Sequence, residues 1–337
     1  MQGKLQGMSK QLKQVSIDTG AATSDLTDGL YQVVSAFGES AESVKQLEIA
    51  AKAAKAGNAT TTDSVNMLSA VTKGYGDTSA AALQKASDLA FLTVKLGQTS
   101  FPELASSMGQ VVPLAATMKV SQEELFGAMA TLTGVTGGTA EVTTQLRATM
   151  QEFLSPSSQM EKALKKMGYT SGAAALESEG LGGILTKLKE SVKGDEVAFA
   201  NLFSSIESKN AVLALTGAQA DAFAEKTAAM GEAAGATDRA FNIQTNSVSA
   251  MASKLKNAGS VMLTSLGEKA LPYVQDAMQG LIDRMPAITE TLGGVIERAG
   301  PMFGVMASGI SNAVSACAPV VGRIGSCLLY TSPSPRD

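Results

Sequence analysis

The feature that constrains this chain most is a series of glycine-separated helical segments between positions 52 and 169. Gly57, Gly97 and Gly137 lie 40 residues apart, and each precedes a polar run followed by apolar residues at helical spacing. Glycine ends helices readily because it lacks a Cβ, and small polar residues begin them. Alternating strand patterns are nearly absent. The pattern therefore predicts an all-α fold of helical hairpins in series.

The apolar residues of this chain are mostly small. Hydrophobic residues make up 45 % of the 337 positions, but there is no Trp, and Phe and Tyr number only 10 and 5. Large aromatic side chains usually dominate core burial. Their scarcity, together with 33 Gly, predicts closely approaching helices in an elongated array or a loosely packed bundle. The length corresponds to about two ordinary domains.

The ionisable residues argue against most chemistry. The chain has no His and a net charge of −4, so it lacks the commonest general base and metal ligand. It also lacks the basic stripe that specific nucleic-acid binding requires. The two cysteines, Cys317 and Cys327, do not form a CxxC motif. We therefore expect no catalytic residue, no cofactor, no metal site and no enzymatic activity.

Two serine-led segments, 100–103 and 121–124, have the pattern of a capping box. In such a box the Ser oxygen accepts an amide of the first turn, and the Glu three residues later accepts the amide of the cap. Pro102 suits a first turn, where its missing N–H is not needed. Pro113 falls within the following helix and is expected to kink or split it.

Helical spacing and breaker residues predict further helices over much of the chain. These helices cover residues 25–37, 40–57 with Ser40 as cap, 60–74, 79–96, 141–154, 158–167, 184–192, 196–206, 218–230 and 236–263. Residues 170–183 are rich in Gly and Ser and predict a loop with at most one helical turn.

Several residue groups could suggest chemistry but have simpler explanations. The carboxylate pairs 123–124 and 195–196 both stand at predicted helix starts, where anions favour the helix dipole, so capping is the favoured interpretation. The glycine pairs 137–138 and 182–183 follow no strand and lack the Lys-Ser/Thr sequel of a phosphate loop, so they predict hinges. Core filling is the favoured role of five methionines, at positions 108, 118, 129, 150 and 160.

The carboxyl-terminal third differs in character from the rest. Segments of roughly 14 residues are broken by prolines, and residues 299–322 contain no charged side chain. That length could cross a bilayer, but its prolines and polar residues make it a poor insertion segment. A helix buried against partners, or one lying at an interface, is favoured.

The last eleven residues change composition abruptly. Residues 327–337 read CLLYTSPSPRD and resemble the translation of a sequencing-library adapter. We therefore expect the natural chain to continue beyond about Gly325. Position 1 falls within helical spacing, which predicts a fragment of a longer protein.

The order of several helical segments resembles the core region of phage tail tape measure proteins over roughly residues 20–215. The segments are IAAKAAKAGNATTTDSVNMLSAV (49–71), SDLAFLTVKLGQTSFPELASSMGQVVPLA (87–115), SQEELFGAMATLTGVTGG (121–138), LRATMQEFLSPSSQMEKALKKMGY (146–169) and LFSSIESKNAVLALTG (202–217). No single segment is diagnostic, but the ordered set is specific.

The resemblance implies a structural protein that sets tail tube length, scaffolds tube assembly and is released when the genome is ejected. The implied partners are the major tail tube protein, tail assembly chaperones, distal tail or baseplate proteins, and other copies of the chain. It also implies contact with a host membrane through residues 267–326. The implied location is the tail tube lumen of the virion, and the host cytoplasm during assembly.

The predicted organisation has five parts. They are an amino-terminal helical lead-in (1–20), a core helical region (21–217), long polar helices (218–266), apolar proline-broken helices (267–326) and the adapter-like tail (327–337).

Two other functional classes remain open on the residues alone. The uncharged stretch 299–322 and the Ala- and Gly-rich helices would also suit a helical membrane-active or pore-forming secreted protein. The 40-residue spacing would suit a soluble α-solenoid scaffold, but the period fades after Gly137.

Overall fold

The structure, a computed structural model, describes residues 2–246 and the single positions 258, 259, 261, 262 and 279. Contacts between Cα atoms divide the chain into two units, Met1–Leu263 and Thr264–Asp337. Within residues 2–246 there are fourteen α-helices and no named β-strand, which confirms the all-α prediction. The later part of the predicted helix 236–263, and the predicted apolar segments, lie outside the described residues apart from those single positions.

The helices follow one another with short connections. They are α1 (Gln2–Thr19), α2 (Thr23–Phe37), α3 (Ser43–Gly57), α4 (Thr61–Gly74), α5 (Ala80–Leu96), α6 (Phe101–Thr117), α7 (Gln122–Leu132), α8 (Thr139–Leu154), α9 (Ser158–Lys166), α10 (Gly172–Ser191), α11 (Glu196–Ala200), α12 (Ile206–Thr216), α13 (Ala220–Met230) and α14 (Ala236–Thr245).

Local capping explains where many of these helices begin. Thr60, Ser79, Ser100, Ser121 and Ser157 each accept, through the side-chain oxygen, the amide three residues later. Each bond satisfies one of the amides that a helix start leaves free. The predicted starts of α4 to α7 are thereby confirmed.

Only one of the two predicted capping boxes is complete. In the first, the Glu103 amide donates to Ser100 Oγ and the Ser100 amide donates to the Glu103 carboxylate. At the second, the Glu124 amide donates to Ser121 Oγ at 3.2 Å. The Glu124 carboxylate instead accepts the Gly182 amide of α10 at 3.3 Å. Only the serine half of the predicted second box is present, because the Glu124 carboxylate accepts an amide of another helix and not that of Ser121.

The predicted cap of α3 was wrong by two residues. Ser40 Oγ accepts the Glu42 amide at 3.2 Å, which makes a tight turn before the helix. The cap residue is Glu42, and its own side chain does not cap α3. Its carboxylate accepts the Ala80 amide of α5 at 3.1 Å.

The loop predicted over 170–183 is helical from Gly172 onward. Ser171 caps α10 through the Ala174 amide at 3.1 Å, and the alanines that follow have high helix propensity. The helix departs from helical geometry at Gly180, where φ is 70°. A single glycine therefore bends this segment where the composition predicted a loop.

The helix predicted over 196–206 ends early, at Ala200, and the helix α12 that follows the connection was not predicted. The chain leaves α11 after Ala200 and begins α12 at Ile206. Phe203, in the connection, is 1 % exposed, and its ring lies 5.5 Å from that of Phe199 and 6.3 Å from that of Phe153. Burying these rings against α8 outweighs the local helical spacing.

Pro113 does not split α6, which is continuous from Phe101 to Thr117. Proline removes the hydrogen bond to the carbonyl four residues earlier, which here belongs to Gly109. Both residues are exposed, so that carbonyl faces water. The predicted split was wrong because the lost bond lies on the solvent side of the helix.

Over most of the described chain, helices that are near one another in the sequence pack together to form the core. Helix α6 packs between α4 and α8, α8 packs on α12, and α2 and α3 pack on α4. The largest fully buried side chains include five phenylalanines, at positions 101, 126, 153, 199 and 203. The five methionines predicted to fill the core are all 0 % exposed, which confirms that prediction.

The last two helices of the described chain depart from this order. Helix α13 packs on α7, and α14 packs on α3 and α5, which lie far earlier in the sequence. The serial arrangement is therefore closed by two helices that return to the amino-terminal half.

Candidate functional site: helix ends tied across the bundle

The carboxylate pair 123–124 occupies the first turn of α7, as the capping interpretation predicted. Glu123 Oε1 lies 2.7 Å from Lys85 Nζ on α5. Glu124 turns instead to the Gly182 amide. The two carboxylates have different partners and connect α7 to two other helices.

The pair 195–196 also serves a helix start. Asp195 Oδ1 accepts the Ala198 amide at 2.9 Å and caps α11. Glu196 Oε1 lies 3.8 Å from Lys189 Nζ. The capping prediction is confirmed here as well.

The two glycine pairs have different surroundings. Gly137 has φ +152°, and Gly138 is the cap residue of α8, so this pair lies in the turn between α7 and α8. Gly182 and Gly183 lie inside α10, whose backbone departs from helical geometry at Gly180. The second hinge prediction was wrong by two residues.

The most elaborate helix-end contact is made by Asp88 of α5, which is 4 % exposed. Its Oδ2 accepts the Gly235 amide at 2.9 Å, and its Oδ1 accepts the Thr237 amide at 2.8 Å. Helix α14 has no side-chain cap of its own, and Gly235 is left-handed with φ 76°. Asp88 therefore caps α14 from another helix, with its negative charge at the positive end of the helix dipole.

Two neighbours support this contact. Gln84 Nε2 donates to Asp88 Oδ1 at 3.1 Å from one turn earlier on α5. Ser87 and Thr237, both buried, are joined through their hydroxyl oxygens at 2.8 Å. The carboxylate thus accepts three hydrogen bonds, which compensates the cost of burying a charge.

Glu152 of α8 makes a second contact of the same kind. It is 7 % exposed, and its Oε1 accepts the amides of Ser204 and Ser205, both at 2.8 Å. These amides immediately precede α12, whose local cap is Ser205. The start of α12 is therefore fixed by its own serine and by a buried carboxylate from α8.

Lysines approach the opposite ends of two helices. Lys226 Nζ of α13 donates to the Ala130 carbonyl, near the end of α7, at 2.9 Å. Lys189 Nζ of α10 donates to the Thr216 carbonyl, at the end of α12, at 2.7 Å. Cations at these carbonyl ends complement the dipole. Burial lowers the pKa of the Lys226 ammonium, and the charge of Glu225 acts in the opposite direction.

Sequence reasoning missed these ties. One signal for Asp88 was available, since a carboxylate there falls among the buried residues Ser87, Leu89 and Ala90 of α5. A second signal was Gly235, because a helix starting after glycine lacks a capping side chain. Neither signal identifies the partner, which lies 147 residues away.

A groove of about 540 Å³ lies between α14, α5 and the end of α3. The rings of Phe91 and Phe101 stack there with centroids 4.9 Å apart. Lys95 and Arg239 contribute positive charge, and Ile243, also lining it, is 79 % exposed. The lining contains no carboxylate and no cysteine, so it offers apolar contact and positive charge.

The described residues contain neither a metal-binding cluster nor a membrane-spanning helix. In this part of the chain no group of three or more His, Cys, Asp or Glu side chains could hold a metal ion. Among the same residues, no helix is both long and apolar enough to cross a membrane. Cys317, Cys327 and the uncharged stretch 299–322 lie outside the described residues.

Comparison with known proteins now gives these helices a family. The family model described as "Phage-related minor tail protein" matches residues 9–206, which is more than half of the chain. The chain therefore belongs to the phage-related minor tail protein family, and it is a component of the phage tail and so of the virion. The resemblance inferred from the sequence is confirmed.

One curated relative is similar along almost the whole chain. It is described as "Probable tape measure protein", from Clostridium phage phiCD119, and is 23 % identical over 344 residues. The similarity covers 98 % of this chain and 36 % of the relative, so the chain spans about a third of the relative's length. No solved structure matches.

Proposed function

We propose that this chain is part of a tape measure protein, which sets the length of the tail tube, scaffolds its assembly and leaves it on genome ejection. The observation that carries the proposal is the similarity over 98 % of the chain to a protein described as a probable tape measure protein. The family match to residues 9–206 supports the same class of protein.

The helical structure supplies a physical basis for a length standard. An α-helix rises about 1.5 Å per residue, so the whole chain drawn out as helix would reach on the order of 500 Å. Helices that begin at local caps can keep their boundaries when their packing changes, because each cap is made within one turn. A ruler built this way depends on residue count and not on a binding site.

The proposed partners follow from this role. They are the major tail tube protein, tail assembly chaperones, distal tail or baseplate proteins and other copies of the chain. The proposed location is the lumen of the tail tube, with the host cytoplasm during assembly. Contact with a host membrane is proposed for residues 267–326, where residues 299–322 carry no charge.

We also propose that the chain has no enzymatic activity. The two adjacent carboxylate pairs are engaged at helix starts, and the chain has no His. A structural role uses these carboxylates to position helices, and no cofactor is needed for it.

Tail length in phage particles tests the ruler role. In the intact gene, deletion of residues 139–216, which contain α8 to α12, should shorten the tail by about 120 Å at about 1.5 Å per residue. An in-frame duplication of the same segment should lengthen it by a similar amount. Electron microscopy of particles gives both lengths. Glu177→Gln, which changes one exposed side chain of α10, is the control and should leave the length unchanged.

An unchanged tail length in both the deletion and the duplication would contradict the proposal. The duplication keeps the test informative if the deletion yields no particles, since it retains every original residue. A length change of the same sign in both variants would also count against a ruler, because only residue number predicts opposite changes.

The membrane-active alternative makes a different prediction. It rests on the absence of charge over residues 299–322. Dye release from anionic lipid vesicles by the full chain, with tail length unaffected by the deletion, would favour it. Absence of release, together with the predicted length changes, would favour the tape measure role.

A further inference from the structure

Residues 220–245, here called the strap, comprise α13 and α14. The strap packs mainly on helices that precede it by many residues: α13 on α7, and α14 on α3 and α5. Helices α1 to α12, here called the body, also pack among themselves, through α4, α6, α8 and α12 in turn. Removing the strap would therefore leave these body contacts in place.

The α14 end of the strap makes a set of polar contacts with α3 and α5. Asp88 accepts the amides of Gly235 and Thr237, and the hydroxyls of Thr237 and Ser87 are hydrogen-bonded to each other. Lys52 Nζ on α3 lies 3.6 Å from Asp238 Oδ1. Such bonds are directional and are lost together when the helix moves away.

At the α13 end of the strap, the backbone of α13 lies close to that of α7. A Cβ built on Gly127 of α7 would lie 2.4 Å from Thr227 Oγ1 and 2.9 Å from Thr227 Cα. The absence of a side chain at Gly127 therefore allows α13 to approach. Lys226 adds its bond to the Ala130 carbonyl. The buried Thr227 hydroxyl has no hydrogen-bond partner, which is a cost that detachment would remove.

The strap has little apolar anchorage. Across residues 220–245 the strap buries five apolar residues: Phe223 and Met230 of α13, Ala233 of the connection, and Ala236 and Phe241 of α14. By contrast, α6 alone buries six apolar side chains. Isolated helices of 11 and 10 residues are marginal in water. Regions with few buried apolar contacts open at lower free energy than the core.

From these observations we propose that the strap is a releasable element of the fold. It detaches from the body as one unit, α13 with α14, while the body stays folded. Detachment uncovers the faces of α3, α5 and α7 on which the strap lies. This behaviour does not depend on the proposed ruler function.

Hydrogen exchange of the full chain, measured by mass spectrometry in increasing denaturant, tests the proposal. Amides of 220–245 should exchange through an opening that leaves the amides of 139–154 protected. Two variants weaken opposite ends of the strap. Asp88→Asn replaces an acceptor at α14 by a group that cannot accept both amides, and Gly127→Ala introduces a clash at α13.

The decisive measurement is made at the end that each variant does not touch. Asp88→Asn should accelerate exchange in 220–230, and Gly127→Ala should accelerate it in 236–245, each by about tenfold or more. Exchange in 139–154 should change by less than about twofold if the body, to which α8 belongs, stays folded. Gly109→Ala is the matched control on α6, because its Cβ would meet nothing closer than 4.0 Å; it should not accelerate the strap.

Two results would overturn the proposal. If the strap and 139–154 exchange at the same free energy in the unaltered chain, the strap belongs to one cooperative unit with the body. If each variant accelerates only its own end, α13 and α14 fray separately. Lys226→Met, which removes the bond to the Ala130 carbonyl from the strap side alone, keeps the test valid if Gly127→Ala disturbs α7 itself; it should accelerate 236–245 in the same way.

Discussion

The helices α4 to α7 and the helix α14 begin in different ways. Each of the former has a Ser or Thr immediately before it that accepts an amide of its own first turn. Helix α14 begins after a left-handed Gly235 and receives its cap from Asp88, across the bundle. The first kind of start is fixed by a few adjacent residues, and the second exists only when α5 and α14 are packed together.

This difference has an energetic meaning. A local cap stabilises its helix by about 1 kcal/mol and contributes whether or not the rest has folded. A buried carboxylate that accepts two amides contributes through charge-assisted bonds, but only after its desolvation has been compensated. A buried carboxylate that accepts the first amides of a helix from another helix is here called a remote tie. It links the folding of two helices, whereas a local cap stabilises only its own helix.

Removing a buried aromatic ring next to the Glu152 contact should have the largest effect on the free energy of unfolding. Phe203 lies in the connection before α12 and is 1 % exposed. We expect Phe203→Ala to lower the free energy of unfolding by about 3–5 kcal/mol, since it leaves a cavity between α8 and α11. Urea unfolding followed by circular dichroism measures it. A loss below about 1 kcal/mol would show that this connection is not part of the cooperative core.

Loss of a remote tie should come next. Glu152→Gln keeps the shape of the side chain but places a neutral amide against Ser204 and Ser205. We expect a loss of about 1.5–3 kcal/mol in the same urea experiment. Glu177→Gln, an exposed carboxylate on α10, should change it by less than about 0.5 kcal/mol. Equal effects of the two variants would remove the distinction between remote ties and ordinary surface charges.

Loss of a local cap should cost less. Ser100→Ala removes the acceptor of the Glu103 amide and one half of the capping box of α6. We expect a loss of about 1 kcal/mol. Ser106→Ala, further along the same helix and exposed, should be close to neutral. If Ser100→Ala cost as much as Glu152→Gln, local and remote starts would be energetically alike.

The smallest effect should come from a surface ion pair that depends on pH. Burial raises the pKa of Glu48, but hydrogen bonds and charges from Lys45 and Lys52 outweigh it and leave the pKa below 4.5. A carboxyl with a lowered folded pKa stabilises the protein above its unfolded pKa, and that contribution is lost as the pH falls through the folded value. Glu48→Gln should therefore cost less than about 0.5 kcal/mol at neutral pH, after solvent screening.

Urea midpoints of Glu48→Gln and the unaltered chain, compared at neutral pH and well below 4.5, check this sign. The difference between them should shrink as the pH falls. A difference that grows on acidification would mean that the Glu48 contribution has the opposite sign, and that the pair does not stabilise the folded state.

The sequence predicted the fold class and most helix starts, but it failed where packing competes with local preference. It placed α5 between its cap at Ser79 and its end at Gly97, because both signals lie next to the helix. It predicted a loop over 170–183, where an alanine-rich segment is helical and only Gly180 interrupts it. It also extended α11 to residue 206 and missed α12, because the burial of Phe203 in the connection is invisible in helical spacing.

The candidate site shows the same division. The carboxylate pairs 123–124 and 195–196 were correctly assigned to helix starts, since the caps Ser121 and Asp195 lie within or beside the pairs in the sequence. Asp88 and Glu152 were missed, because their partners lie 147 and 52 residues away. No local pattern carries information over such separations.

By itself the sequence determined that this protein is all-α, where most helices begin, and to which family it belongs. These properties depend on caps, breakers and apolar spacing, whose effects act within one or two helical turns. Only the tertiary structure decided that α13 and α14 return to α7, α3 and α5, and that Asp88 supplies the missing cap. The physical reason is that a buried carboxylate and a glycine contact gain their energy only when two distant helices meet.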